Sequence, residues 1–286
     1  GILTTAAGAI LYDVLHLNMA LIIAVLYVAY GIFISYYKAN EILTIFVIFT
    51  SLLLPYLLEY MEFSELLIIQ FVVILFAAIQ FVIVKHRQQI ALHITTSFTH
   101  LSALALWGLS ENVDMYFAIG LLLIASIYLY SWWKLYEPAS KWRAIHEGLL
   151  FSYHVFALIT LLFVTNDLVF DTILFLLMLV IYSITAFIAY KERLQHVVDV
   201  AATVAFLAFI FMLVTFDLSD EVLILLFGFV AFSGIMLGMR LRAPVMQVTY
   251  SLQFFFMTLL TVAASEVKPF FALNHLSVVM ILIYLI

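Results

Sequence analysis

The residues best suited to acid–base chemistry in this sequence are His93, His100 and His154, with Asp199 beside them as a carboxylate. Imidazole changes charge near neutral pH. His93, Ser97 and His100 stand four and three residues apart, spacings that share one side of a helix. All lie inside apolar stretches. There an ionisable group is by default part of a proton relay or of an ion or substrate path. The blander alternative is a neutral histidine bonded across helices to Ser, Thr or a carbonyl. Asp199 is the more demanding case, because a charge at the centre of a membrane helix costs about 2.5–3.5 kcal/mol. It sits about 9 Å of helix rise beyond Arg193, within reach of interfacial water or a neighbouring arginine.

These residues keep register with a recurring triplet, a basic residue, any residue, then Arg. It reads Lys85-His86-Arg87, Lys141-Trp142-Arg143, Lys191-Glu192-Arg193 and Arg240-Leu241-Arg242, with Arg-to-Arg spacings of 56, 50 and 49. Three, six and ten residues beyond each Arg stand Ile90, His93 and Ser97; His146, Leu149 and Tyr153; His196, Asp199 and Thr203; Met246, Thr249 and Gln253. With Lys38 in the Arg position, Glu41, Thr44 and Ile48 join the series. These offsets share a helical face, so each such helix has one more polar side, which should turn away from lipid. The candidate polar path is therefore His93, Ser97, His100, His154, Asp199, Thr203 and Gln253. Return stretches such as 121–129 and 173–180 are close to pure hydrocarbon, which predicts an outer set of return helices around an inner polar set.

The composition requires such helices. The chain is 67% hydrophobic and 10% charged, against about 25% charged in a soluble domain. Lipid must be its solvent over much of its length. The expected fold is an all-α integral membrane protein, a single domain over 1–286. Its twelve transmembrane segments lie near 1–14, 17–37, 41–58, 64–84, 89–109, 114–135, 146–165, 168–190, 196–216, 219–239, 244–264 and 271–286. Short loops make neighbours antiparallel, in repeated hairpins of roughly 50 residues. Pro55 is expected to kink or end its helix, and Pro244 to open one.

Loop charge alternates in sign. Lys38, Lys134 and the triplets place ten of the eleven basic residues on one side; Lys268 is the exception. Asp13, Glu59, Glu62, Glu65, Glu111, Asp114, Asp167, Asp171, Asp217, Asp220, Glu221 and Glu266 fall on the other. Short loops rich in Lys and Arg stay in the cytoplasm. The loops near 38, 87, 140, 192 and 241 are therefore expected there. Lys85, Arg87, Lys141, Arg143, Lys191, Arg193, Arg240 and Arg242 read as topology anchors, or as contacts for lipid headgroups.

Other features read as structure. Glu147 beside His146 is a helix-start carboxylate near Lys141 and Arg143, since adjacent positions do not face each other. Glu59, Glu62 and Glu65 form a solvated outer loop or a cation-gathering patch. Gln70, Gln80, Gln247 and Gln253 are interhelical glue. Gly234 and Gly238 form G-x-x-x-G, a close-packing signal. With no cysteine, no H-E-x-x-H, no phosphate loop and no G-x-S-x-G elbow, neither a metal, a cofactor, a catalytic residue nor a nucleic-acid partner is expected.

The run Ala6-Ala7-Gly8-Ala9-Ile10-Leu11-Tyr12, the hairpin through Tyr30-Gly31 and the step Thr50-Ser51-Leu52-Leu53-Leu54-Pro55-Tyr56-Leu57-Leu58 resemble a family of large bacterial predicted membrane proteins of unassigned function. Leu54 departs from that pattern, which has a small residue or Thr there. The resemblance covers about the first 110 residues. It implies a bacterial plasma-membrane protein and an interior fragment of a longer chain; residue 1 is Gly, and Ile286 ends within an apolar run. It supplies no site residues. The function expected first is transport or permeation of a small solute, ion or lipid. A non-catalytic membrane scaffold is the alternative, and an enzyme acting on lipid or cell-wall precursors through His93, His100 or His154 stands behind both. Expected partners are membrane lipids, the rest of the chain, or other membrane proteins.

Overall fold

The computed structural model describes residues 16–60, 62–109, 114–137, 139–164, 168–216 and 218–263. The predicted segments 1–14 and 271–286, the motif at Ala6, and the loop acids Asp13, Glu111, Asp167, Asp217 and Glu266 lie outside them, as does Lys268. Among the described residues the regular structure is α-helical: α1 (Leu17–Lys38), α2 (Glu41–Ser51), α3 (Leu53–Tyr60), α4 (Glu65–His86), α5 (Gln89–Leu109), α6 (Asp114–Leu135), α7 (Arg143–Val164), α8 (Leu168–Lys191), α9 (Gln195–Val214), α10 (Asp220–Leu241) and α11 (Pro244–Ala263). Among the described residues eight helical stretches are long and apolar enough to cross a membrane, α2 and α3 counting as one. Helices α5 and α11 have the length but carry the His, Thr, Ser and Gln residues noted above.

Helix ends follow from local chemistry. Pro55 breaks its apolar segment into two helices, as its position predicts. The break comes three residues earlier, at Leu52, because a proline ring clashes with the carbonyl four residues back. Restarting at Leu53 places Pro55 in a first turn, where its missing N–H costs nothing. Three of the four triplets end a helix in the same way. Arg87, Arg193 and Arg242 adopt left-handed φ values of 54, 59 and 54°. The next amide reaches back five residues, Gln88 to the Ile83 carbonyl at 3.0 Å, Leu194 to Ala189 at 2.9 Å and Ala243 to Gly238 at 2.8 Å. This is the double-bonded stop that usually takes glycine. Here a cation also faces the negative end of the helix dipole. The fourth triplet differs: Arg143 opens α7 rather than closing α6.

The chain gathers into two compact units, residues 1–166 and 167–286. In the first, α6 packs against α4, α5 and α7, and α2 lies against α5. Helix α6 is a return helix, yet it buries Phe117, Leu121, Ile124, Tyr128 and Trp132. The expected outer ring of return helices therefore does not hold in this unit. Hydrocarbon content alone does not decide whether a helix faces lipid or protein.

In the second unit α8 pairs with α9, and α10 with α11. Ala201, Ala205 and Ala208 of α9 are buried. A methyl added at Gly234 would lie 2.5 Å from the Tyr250 ring. That ring is fully buried and its hydroxyl donates to the Thr203 carbonyl at 2.8 Å, so it has nowhere to go. The G-x-x-x-G pattern is thus the α10–α11 contact. Gly234→Ala is expected to destabilise the protein by about 1–3 kcal/mol through overpacking. Gly228→Ala, where open space surrounds the added methyl, is expected to be neutral or to stabilise by up to about 1 kcal/mol. Thermal unfolding of the two variants in detergent distinguishes these outcomes.

Candidate functional site

The polar sides of α5 and α7 meet on α6 and build a column of histidines and tyrosines. His93 Nδ1 lies 2.6 Å from the Tyr128 hydroxyl, and His93 Nε2 lies 2.7 Å from His146 Nδ1. His100 Nδ1 is 3.0 Å from the Tyr153 hydroxyl, and its Nε2 is 3.1 Å from Thr160 Oγ1. The Tyr128 and Tyr153 rings join the two groups edge to face, with centroids 4.8 Å apart. Tyr128 also stacks on His154 at 5.6 Å.

Proton positions follow from the partners. Thr160 donates to the Ala157 carbonyl at 2.9 Å, so it accepts from His100 Nε2–H. That leaves His100 Nδ1 to accept from Tyr153 O–H. For His93 two polarities satisfy the contacts. In one, Tyr128 donates to His93 and His93 donates to His146. In the other both bonds reverse, leaving the His146 Nε2 lone pair open. His154 donates Nδ1–H to the Leu150 carbonyl at 2.7 Å, and its Nε2 lies 3.4 Å from the Ala125 carbonyl.

The column opens at the α5 and α7 N-termini on a cavity of about 20 Å³ lined by His93, His146, Trp132, Tyr136, Glu137 and Arg143. That volume suits one water molecule. Charged groups frame it. Glu147 accepts from Tyr136 O–H at 3.1 Å and pairs with Arg143 at 3.5 Å, which is the helix-start role read from its position. Glu137 pairs with Arg87. Burial first, then the Glu147 carboxylate, push the Tyr136 hydroxyl above the usual tyrosine range. Tyr136 therefore stays a donor at neutral pH.

The other candidates go elsewhere. Ser97 is exposed at the outer edge of the same face of α5, beside Phe98 and Leu101. The buried stripe of α5 runs through Leu92, Thr96, Thr99 and Ala103. His93 and His100 flank that stripe on one shoulder, and Ser97 lies a further step round, outside it. Asp199 is buried and accepts from two backbone amides of the first turn of α11, Val245 and Met246, both at 2.9 Å. It caps a neighbouring helix, where a carboxylate complements the positive end of the dipole. Thr203 donates to the Asp199 carbonyl at 2.7 Å. Gln253 donates to the Phe227 carbonyl at 3.3 Å, and Gln247 to that of Gly238 at 2.9 Å. In the first unit Glu41 caps α5 as Asp199 caps α11, accepting from Ile90 and Ala91 at 2.7 and 2.9 Å. Gln80 donates to Thr95 and Thr96.

Sequence reading missed Tyr128 and Thr160 and passed over His146. Tyr128 was hidden in a return stretch read as hydrocarbon, where its hydroxyl and that of Ser126 were the only polar side-chain groups. His146 and Tyr153 already stood in the offset series, at the positions that line the column.

Fold and site together define a class: an all-helical protein whose apolar helices suit insertion in a membrane, with a polar column buried between three of them. No protein-family model, curated protein or solved structure matches this chain. Asp199→Ala is expected to cost about 1–2 kcal/mol by leaving two amides of α11 uncapped. Asp199→Asn, which keeps one acceptor, should cost about half as much; melting curves of both variants check the order.

Proposed function

We propose that this protein is a multi-spanning membrane protein that lets protons pass along the histidine–tyrosine column between α5, α6 and α7. The observation that carries this reading is the chain His146–His93–Tyr128, bonded at 2.7 and 2.6 Å and opening on the charged cavity. Its two polarities differ by the passage of one proton. A proton taken up at His146 Nε2 releases the Nδ1 proton to His93. His93 then passes its own to Tyr128, whose hydroxyl proton goes to the Tyr153 oxygen as Tyr153 gives its own to His100 Nδ1 and His100 Nε2 gives its own to Thr160 Oγ1. Tyr153 and His100 continue the column, and a ring movement or a water must complete the step between the two tyrosines. Of the cargoes expected from sequence, the ion is favoured, because the mouth holds about one water and rings fill the space beyond it.

A scaffold is the second reading, favoured by Glu41, Asp199, His154 and Gln253, which bond backbone atoms as structural glue. The enzyme reading ranks last. Reconstitution separates them. Proteoliposomes holding a trapped pH-sensitive dye should acidify under an imposed potential. His93→Phe and Tyr128→Phe should cut the rate at least about tenfold, while Ser97→Ala leaves it unchanged. A wild-type rate no higher than that of empty liposomes sinks the proton reading and leaves the scaffold.

The finer topology belongs to the same proposal: about twelve spans in repeated hairpins of roughly 50 residues, in a bacterial plasma membrane, with the triplet side cytoplasmic. Supporting it are the agreement of helix bounds with the apolar segments and the charge asymmetry of the loops. Membrane lipids, further parts of a longer chain and other membrane proteins are its partners. Because the chain has no cysteine, single cysteines report sidedness cleanly. In intact cells, an impermeant maleimide should label Ser64→Cys and not Ser140→Cys; the reverse would invert the topology.

A further inference from the structure

We infer that a groove on the second unit binds one anionic phospholipid, its acyl chain lying between α8, α9 and α10 and its headgroup held by Lys191, Arg193, Arg240 and Arg242. The groove has a volume of about 300 Å³ and opens on one side. Small residues make its floor: Ala202 and Ala205 of α9 face Ala186 of α8. Leu179 and Tyr190 mark its extent along α8. Eleven residues of helix rise cover about 16 Å, and one leaflet contributes about half of the ~30 Å hydrocarbon thickness. The groove is therefore as deep as one lipid tail.

Its mouth is basic. Tyr190 and Leu241, both in the lining, directly precede Lys191 and Arg242. The Lys191 ammonium lies 4.5 Å from the centroid of Phe187, another wall residue. Gln195 at the start of α9 donates to the Leu241 carbonyl. That bond joins the α8–α9 turn to the α10–α11 turn, bringing Arg193 and Arg242 to the same end. All four basic residues are exposed, and none takes part in an ion pair among the described residues. In the first unit, by contrast, Arg87 and Arg143 are paired. The acids at this end are Glu192 and Asp199, and the Asp199 carboxylate is buried and bonded to two amides of α11, so the four cations leave the mouth positive. A partner helix would have to bring several carboxylates to match it, whereas an anionic lipid brings the phosphate with the tail.

The full chain, purified in detergent, can be given equal amounts of phosphatidylglycerol and phosphatidylcholine with the same acyl chains, and retained lipid read by native mass spectrometry. One phosphatidylglycerol should persist at energies that strip phosphatidylcholine. Replacing Lys191, Arg193, Arg240 and Arg242 by alanine should abolish the preference, at roughly fivefold per charge. Ala205→Trp fills the floor with all charges intact and should also lose the retained lipid. If that variant melts early, Ser183→Phe at the rim does the same from an exposed position. Lys85→Ala should change nothing. Equal retention of both lipids, retention unaffected by filling the groove, an equal effect of Lys85→Ala, or displacement by millimolar inorganic phosphate would each overturn the assignment.

Discussion

Two carboxylates, each closing the first turn of a neighbouring helix, set the arrangement within their units. Glu41 accepts from Ile90 and Ala91, and Asp199 from Val245 and Met246. The first amides of any helix lack partners inside it. In water the solvent satisfies them, but near a hydrocarbon core an unsatisfied backbone group costs several kcal/mol. A carboxylate supplied from another helix meets that need and draws its own compensation from the helix dipole. The two caps bind together helices that are not consecutive in sequence, α2 with α5 and α9 with α11. In doing so they fix the registers on which the rest of each unit packs.

Registry at the same end of these helices also comes from turns. Three arginines in the left-handed conformation stop α4, α8 and α10, and each following helix begins within a few residues. With so little chain between helices, the polar residues of the next one keep a constant distance from the turn. That constancy explains why His93 and Asp199 each stand six residues beyond their arginine, at the same level of their own helices. It does not give them the same task. In the first unit the level holds a bonded imidazole pair; in the second it holds a helix cap.

The histidine–tyrosine column depends on a helix that composition would have sent to the periphery. Helix α6 reads as hydrocarbon, yet its Tyr128 hydroxyl is the partner that α5 needs. Its ring also joins His154 and Tyr153 of α7 to the same cluster. A single hydroxyl in an apolar run carries little weight in a sequence and great weight in a core, because a buried donor must find an acceptor.

Much of the fold was legible in the sequence. Helix positions followed from apolar length, since only about 20 such residues span a bilayer, and the turns followed from where charge returned. The face of α5 bearing His93 and His100 was legible from spacing, as was the contact marked by Gly234. Position in sequence could not say which shoulder of that face turns inward, so Ser97 was placed with the histidines though it points away. Nor could it say that Asp199 spends its charge on a neighbour's backbone. Periodicity is a property of one helix and can be read from one strand of text. The partner of a polar group is a property of two helices, and only tertiary packing decides which two meet.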